Sequence, residues 1–142
     1  KLGKADGFHC HHIIPTSVVE KRSLARIFGR ARSAGFDPED FASNGMHLPS
    51  TERQAIAFRL PLHRGPHRRY NELVANQISR WDALDPRDLS NQLALLQPSL
   101  KIGLRRPAVV LRHQGSLGIS LIQDFRKLDI DLEHLLKLCC SD

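Results

Sequence analysis

Cysteine is scarce in this chain, and its three copies are poorly placed for covalent bracing. Cys10 stands alone, while Cys139 and Cys140 are adjacent. Neighbouring cysteines rarely pair with each other and an odd number leaves one over, so no disulfide framework is expected and a reducing working compartment is the simplest account. None has the C-x-x-C spacing of a structural zinc site. Long apolar runs are missing too. Nothing approaches the roughly 18 residues of a membrane span, and no signal-peptide pattern opens the chain. Membrane insertion is therefore not expected. Internal repeats and low-complexity tracts are absent. The chain opens on Lys1 rather than methionine, from which we expect it to be part of a longer protein.

What is present is the composition of a soluble globular protein: 142 residues, 41% hydrophobic and 25% charged. That length fits one domain, or one domain with an appendage. The net charge of +6 is unevenly spread. Residues 1–80 carry 13 Lys+Arg against 7 Asp+Glu, whereas residues 81–142 carry 8 against 8. Arg outnumbers Lys 15 to 6, and its planar fork matches phosphate oxygens, so a polyanionic partner follows. The plainer alternative is a solvated basic surface.

Periodicity and turn signals give an α+β reading. Phe8 to Ile14 is expected as a short strand halted by Pro15. Ser17-Val18-Val19-Glu20 has the form of a capping box ahead of a helix, with Val19, Leu24, Ile27, Phe28 and Ala31 at helical spacing. Gly35 is the expected stop. Asp37-Pro38-Glu39-Asp40 reads as a second, short helix start, ended by the Asn44-Gly45 turn signal. Met46 to Leu48 is a second candidate strand. Residues 50–62 are ambiguous between strand and helix. Pro66 suits the first turn of a longer helix whose apolar face is Tyr70, Leu73, Val74, Ile78 and Trp81. Asp85-Pro86 starts another, with Leu89, Leu93, Leu96 and Leu100 at spacings of four, three and four. Beyond Gly103, Val109 to Leu111 suggests a strand, and Leu117 to Phe125 and Leu132 to Leu138 suggest helices. Charge surplus and histidine density both drop at Leu84-Asp85-Pro86, which divides the chain into 1–84 and a mainly helical extension, 85–142, of unknown role.

Three separated polar clusters carry the chemistry. Leu62-His63-Arg64-Gly65-Pro66-His67-Arg68-Arg69-Tyr70-Asn71 sets two imidazoles four positions apart across a Gly-Pro break, among three arginines. Phe8-His9-Cys10-His11-His12-Ile13-Ile14-Pro15 lies far upstream, and Asn44-Gly45-Met46-His47-Leu48-Pro49 lies between. Neutral imidazoles bind divalent transition metals, and a metal ringed by guanidiniums suits work on a phosphate. Adjacent strand residues point to opposite faces, so His11 and His12 cannot both face one ion in regular geometry. One can ligate while the other serves as a base toward water, for which unperturbed histidine is suited. Three protein ligands with open positions also distinguish catalytic from structural metal sites.

Taken together, these motifs closely resemble the AHH nucleases of the HNH/endonuclease VII superfamily over roughly residues 8–80. The resemblance implies an α+β fold with a ββα-metal (HNH, His-Me finger) core, surrounded by helices. It implies that His11, His63 and His67 are metal ligands and that His12 is the general base. Asn44 would hold the loop around the base or complete the metal's shell. Cys10 stands where the family has alanine, which keeps a small residue before the doublet. The implied reaction is hydrolysis of a DNA phosphodiester. His12 takes a proton from the attacking water, a divalent metal steadies the departing 3′ oxygen, and Arg59, Arg64, Arg68 and Arg69 hold flanking phosphates. Nitrogen ligands favour zinc, nickel or manganese, with magnesium also possible. The resemblance further implies an antibacterial toxin domain, delivered by a bacterial secretion system as part of a larger protein and acting in the target-cell cytoplasm, with a cognate immunity protein as partner. The rival readings are a metal-stabilised, non-catalytic DNA-binding or interaction module, and a ribonuclease of the same fold. His9, His47, His113 and His134 read as ordinary polar residues, and Tyr70 and Trp81 as core.

Overall fold

A two-stranded antiparallel ribbon lies at the centre of the fold. Its first strand, β1, is Phe8–His12, and its second, β2, is Gly45–Pro49. The register pairs Cys10 with His47, His11 with Met46 and His12 with Gly45. The computed structural model describes residues 7–63, 68–105, 112–113 and 119–120, with the side chains of Arg69, Arg112, His113, Ile119 and Ser120 outside that set. β1 stops two residues short of the expected Ile14. Ile13 and Ile14 leave the ladder because Asn44 takes up their backbone groups, and both are fully buried.

Between the strands run α1 (Thr16–Val19), a 3₁₀ turn (Arg22–Leu24), α2 (Ala25–Ser33) and α3 (Phe41–Asn44). The capping box read at Ser17 does not form. Pro15 occupies the N-cap of α1 with no side-chain cap bond, and the chain turns at Glu20 before α2 begins. Gly35 ends α2 with φ +94, a conformation that glycine adopts without strain. The second helix starts three residues later than its Asp-Pro signal. Asp37 instead closes a turn onto the N–H of Glu39, and Asp40 caps α3 by accepting from the N–H of Ala42. The hydroxyl of Ser43 and that N–H hold the Asp40 carboxyl below its usual range.

The ambiguous stretch after β2 is helical: α4 spans Glu52–Phe58, capped by the Thr51 hydroxyl. Arg59 then takes a left-handed φ of 53 to end it. Two longer helices follow, α5 (Arg68–Ser79) and α6 (Pro86–Arg105). The Asp85 carboxylate accepts from the N–H groups of Arg87 and Asp88 at the start of α6, which pulls its ionisation below the ordinary range. β3 (Arg112–His113) pairs antiparallel with β4 (Ile119–Ser120). At Ile119–Ser120 this corrects the helix expected over Leu117 to Phe125, in keeping with β-branched Ile119, and the rest of that stretch lies outside the described residues. The strand expected at Val109–Leu111 and the helix over Leu132–Leu138 lie outside the described residues.

One apolar cluster joins these elements. Ile13, Ile14 and Leu48 behind the ribbon, Phe28 of α2 and Val74 and Ile78 of α5 belong to it, as do Leu89, Leu93, Leu96 and Leu100 of α6. α2 packs on α6, and α1 on α5. The guanidinium of Arg26 also pairs with the Asp82 carboxylate at 2.6 Å, while Arg30 donates to the Asp82 carbonyl at 2.7 Å. The buried cluster thus runs straight across Leu84-Asp85-Pro86. Leu93→Ala, which removes a fully buried side chain from α6, is expected to cost about 2–5 kcal/mol. Urea unfolding should show this as a lower midpoint of a single transition. A separate transition would mean that α6 folds apart from the rest.

Candidate active site

Strand alternation assigns the histidines of β1 to two faces. His9 and His11 face one side, where His63 meets them; His12 and Cys10 face the other. His63 arrives there by its backbone. After the buried Leu62, its N–H donates to the Pro49 carbonyl at 2.7 Å, so the segment lies along the end of β2. Its Nε2 then faces Nδ1 of His11 at 3.2 Å, and its Nδ1 faces Nδ1 of His9 at 3.3 Å. His11 is buried, and its ring also lies against Tyr70, with centroids 5.6 Å apart.

His12 is half-buried on the opposite face, edge-on to the ring of Phe41 at 5.8 Å. Gly45, its partner across the ribbon, makes that packing possible. A Cβ there would lie 2.3 Å from the Phe41 ring, closer than any side chain tolerates. Phe41 also packs edge-on against His47 at 5.5 Å, and Nε2 of His47 stands 3.6 Å from the Cys10 sulfur. Cys10 therefore faces away from His11 and His63.

Asn44 is fully buried. Its Oδ1 accepts from the N–H of Ile14 at 2.8 Å, and its Nδ2 donates to the carbonyls of Ile14 at 3.0 Å and Pro38 at 2.8 Å. Its own carbonyl accepts from the N–H of Ile13 at 2.7 Å. An amide engaged in this way holds the segment that follows the doublet. The Tyr70 hydroxyl grips the same segment from α5, donating to the Ile13 carbonyl at 2.5 Å, and burial pushes its ionisation upward. Tyr70 reads as core from sequence, yet its hydroxyl holds the chain beside His12. His9 also escaped the sequence reading, although strict alternation from His11 would have put it on the same face.

Two imidazole nitrogens bound to one tetrahedral zinc at about 2.0–2.1 Å stand about 3.3 Å apart. The His11–His63 separation therefore fits a shared divalent ion, as does the chemistry of the donors. Among the described residues no group of three His, Cys, Asp or Glu side chains could hold a metal ion. His67 and Arg64 lie outside the described residues. Arg59 and Arg68 are exposed. Arg68 and Lys21 line a cleft of about 400 Å³ between α1 and α5, with Ser17, Asn71 and Glu72. The Asn71 amide bridges that cleft to the Ser17 hydroxyl at 2.9 Å. No helix among the described residues is long and apolar enough to cross a membrane.

The chain is thus a mixed α+β protein with imidazoles gathered on a small antiparallel ribbon. Residues 1–100 match the profile of the AHH family, described as a nuclease family of the HNH/ENDO VII superfamily with conserved AHH, and the chain belongs to that family. The match extends beyond the motif-bearing residues into α6. No curated protein matches the chain, and neither does any solved structure.

Asn44→Asp would keep the acceptor for Ile14 but turn an oxygen toward the carbonyls of Ile14 and Pro38. With two buried carbonyls left unpaired, the expected loss is about 3 kcal/mol or more, read from urea unfolding at neutral pH.

Proposed function

We propose that the chain is a metal-dependent endonuclease that hydrolyses phosphodiester bonds of DNA. The observation that carries this reading is the facing pair of His11 Nδ1 and His63 Nε2 at 3.2 Å, with a second histidine, His12, next in sequence and directed to the other face. A structural metal centre needs ligands only, and a spare imidazole held beside it by a glycine and a phenylalanine supports hydrolysis. In this reading β1, β2 and α5 form a ββα-metal core. His11, His63 and His67 hold the ion; zinc, nickel or manganese suits the nitrogen donors, and magnesium remains an arm of the test.

When bound, the metal would supply positive charge to the departing 3′ oxygen and to the negative charge that grows on the phosphate. The chain's own residues do the rest. His12 accepts a proton from water at a ring nitrogen. Phe41 limits how far that ring can swing, and Asn44 and Tyr70 fix the backbone that follows it. Arg68 and Lys21, both lining the cleft between α1 and α5, suit phosphates flanking the scissile one, and Arg59, Arg64 and Arg69 are assigned the same task. The basic surplus in residues 1–80 supports a polyanionic substrate.

The biological setting is proposed from the family resemblance alone. It is a bacterial toxin effector, delivered by a secretion system within a larger protein, active in the target-cell cytoplasm and neutralised by a cognate immunity protein.

The test is incubation of the purified chain with supercoiled plasmid across divalent metals and in chelator. The native chain should nick and linearise DNA with metal and lose that activity in chelator. His12→Ala should lower the rate by at least about a hundredfold while zinc affinity and folding persist. A native chain that binds zinc and nucleic acid but cuts neither DNA nor RNA with any metal would be a metal-stabilised binding module. Full activity in His12→Ala would overturn the assignment of His12 as the base. Cleavage of RNA in chelator with DNA untouched would make it a ribonuclease of the same fold.

A further inference from the structure

Three imidazoles stand in a row on one face of the ribbon: His11 Nδ1 faces His63 Nε2 at 3.2 Å, and His63 Nδ1 faces His9 Nδ1 at 3.3 Å. A neutral imidazole carries one N–H and one lone pair, so between any two facing nitrogens only one can donate. Where His63 places its proton therefore decides what it offers His11. With the proton on Nε2, His63 donates to His11 Nδ1, and that lone pair and its own Nε2 are both consumed. With the proton on Nδ1, His63 donates to His9 and turns its Nε2 lone pair toward His11; when His11 carries its own proton on Nε2, two lone pairs face each other across 3.2 Å. The second arrangement is unfavourable without a cation and suits one well.

We propose that His9 is a positioning residue that holds His63 in the Nδ1–H tautomer, so that His63 Nε2 stays open to a divalent cation shared with His11. The two ring nitrogens of an imidazole point away from each other, so the side of His63 that meets His9 cannot also reach that cation. His9 acts from behind the ligand and not as a ligand itself. Outer partners of this kind fix the orientation and tautomer of metal-binding histidines. The geometry suits the task, because the His9 and His63 rings meet edge-on at 82° with centroids 5.4 Å apart. His9 is exposed, so it contributes little to the core, and its replacement should leave the fold intact. The proposal rests on His11 and His63 being metal ligands, as in the proposed function.

Long-range ¹H–¹⁵N spectra of the metal-free, ¹⁵N-labelled chain, with the His63 signals assigned by His63→Gln, read the tautomer directly. Native His63 should be the Nδ1–H form. His9→Ala should shift it toward Nε2–H, and His9→Asn should restore it, because the amide oxygen can accept where the imidazole nitrogen did. Zinc affinity, measured by competition with a chromophoric chelator, should fall about tenfold or more in His9→Ala and stay near native in His9→Asn. Urea midpoints in chelator should agree across all three. An unchanged His63 tautomer in His9→Ala, or undiminished zinc affinity, overturns the proposal, as does a native chain that binds no zinc. The tautomer is read without metal or substrate. A chain that cuts no DNA while His63 still answers to His9 therefore refutes the nuclease reading and leaves this one standing.

Discussion

Everything near the doublet depends on a single buried amide. Asn44 accepts from the N–H of Ile14, donates to its carbonyl, and offers its own carbonyl to Ile13. Residues thirty positions apart are thereby fixed to within a hydrogen bond, at a site with no access to water. Buried polar groups are costly when unpaired, so this set of bonds tolerates little displacement. It decides where β1 must end, and hence that His12 is the last ladder residue, opposite Gly45. Tyr70 reinforces the same point from α5, which ties the helix following the His63–His67 stretch to the strand bearing His11 and His12.

Much of this was legible in the sequence. The two strands, the apolar faces of α2, α5 and α6 and the breaks at Gly35, Asn44-Gly45 and Asp85-Pro86 follow from periodicity and turn chemistry, which are local. What failed was also local, overridden by something distant. Ser17 with Glu20 has the letters of a capping box, yet Pro15 takes the cap and the chain must turn to lay α1 against α5. Asp37 looks like a cap, but the bonds of Asn44 to Pro38 and Asp40 hold that stretch in a turn and leave Asp40 to cap α3. Residues 50–62 could not be decided because Ala55 to Leu60 is short and apolar, and the hydroxyl of Thr51 tips it to helix.

For the site, the residue types were readable and the neighbours were not. Imidazoles at His11, His12 and His63 announce themselves by spacing. That Phe41 limits His12, that Gly45 is bare to admit Phe41, and that His9 stands behind His63 depend on the ribbon's register, which no local signal states. The register also explains why the adjacent pair His11 and His12 meets different neighbours. On a strand, neighbours are turned to opposite faces, so one ring joins His63 while the next is kept from doing so. A shift of one residue in the pairing would exchange their faces.

A two-stranded ribbon is marginal by itself in water, and one face of this one carries the polar side chains Cys10, His12 and His47. Its stability must come from the other face. There Met46 and Leu48 of β2, the cross-strand partners of His11 and His9, join Ile13 and Ile14 in a cluster of which α6 forms a wall. Leu89, Leu93, Leu96 and Leu100 of that wall carry none of the site's chemistry, yet the family profile runs through residue 100. The physical reason is that a two-stranded ribbon keeps its register only when one face is packed against a core. Residues 85–100 therefore share one buried core with the ribbon, although charge and histidine density both fall away before them.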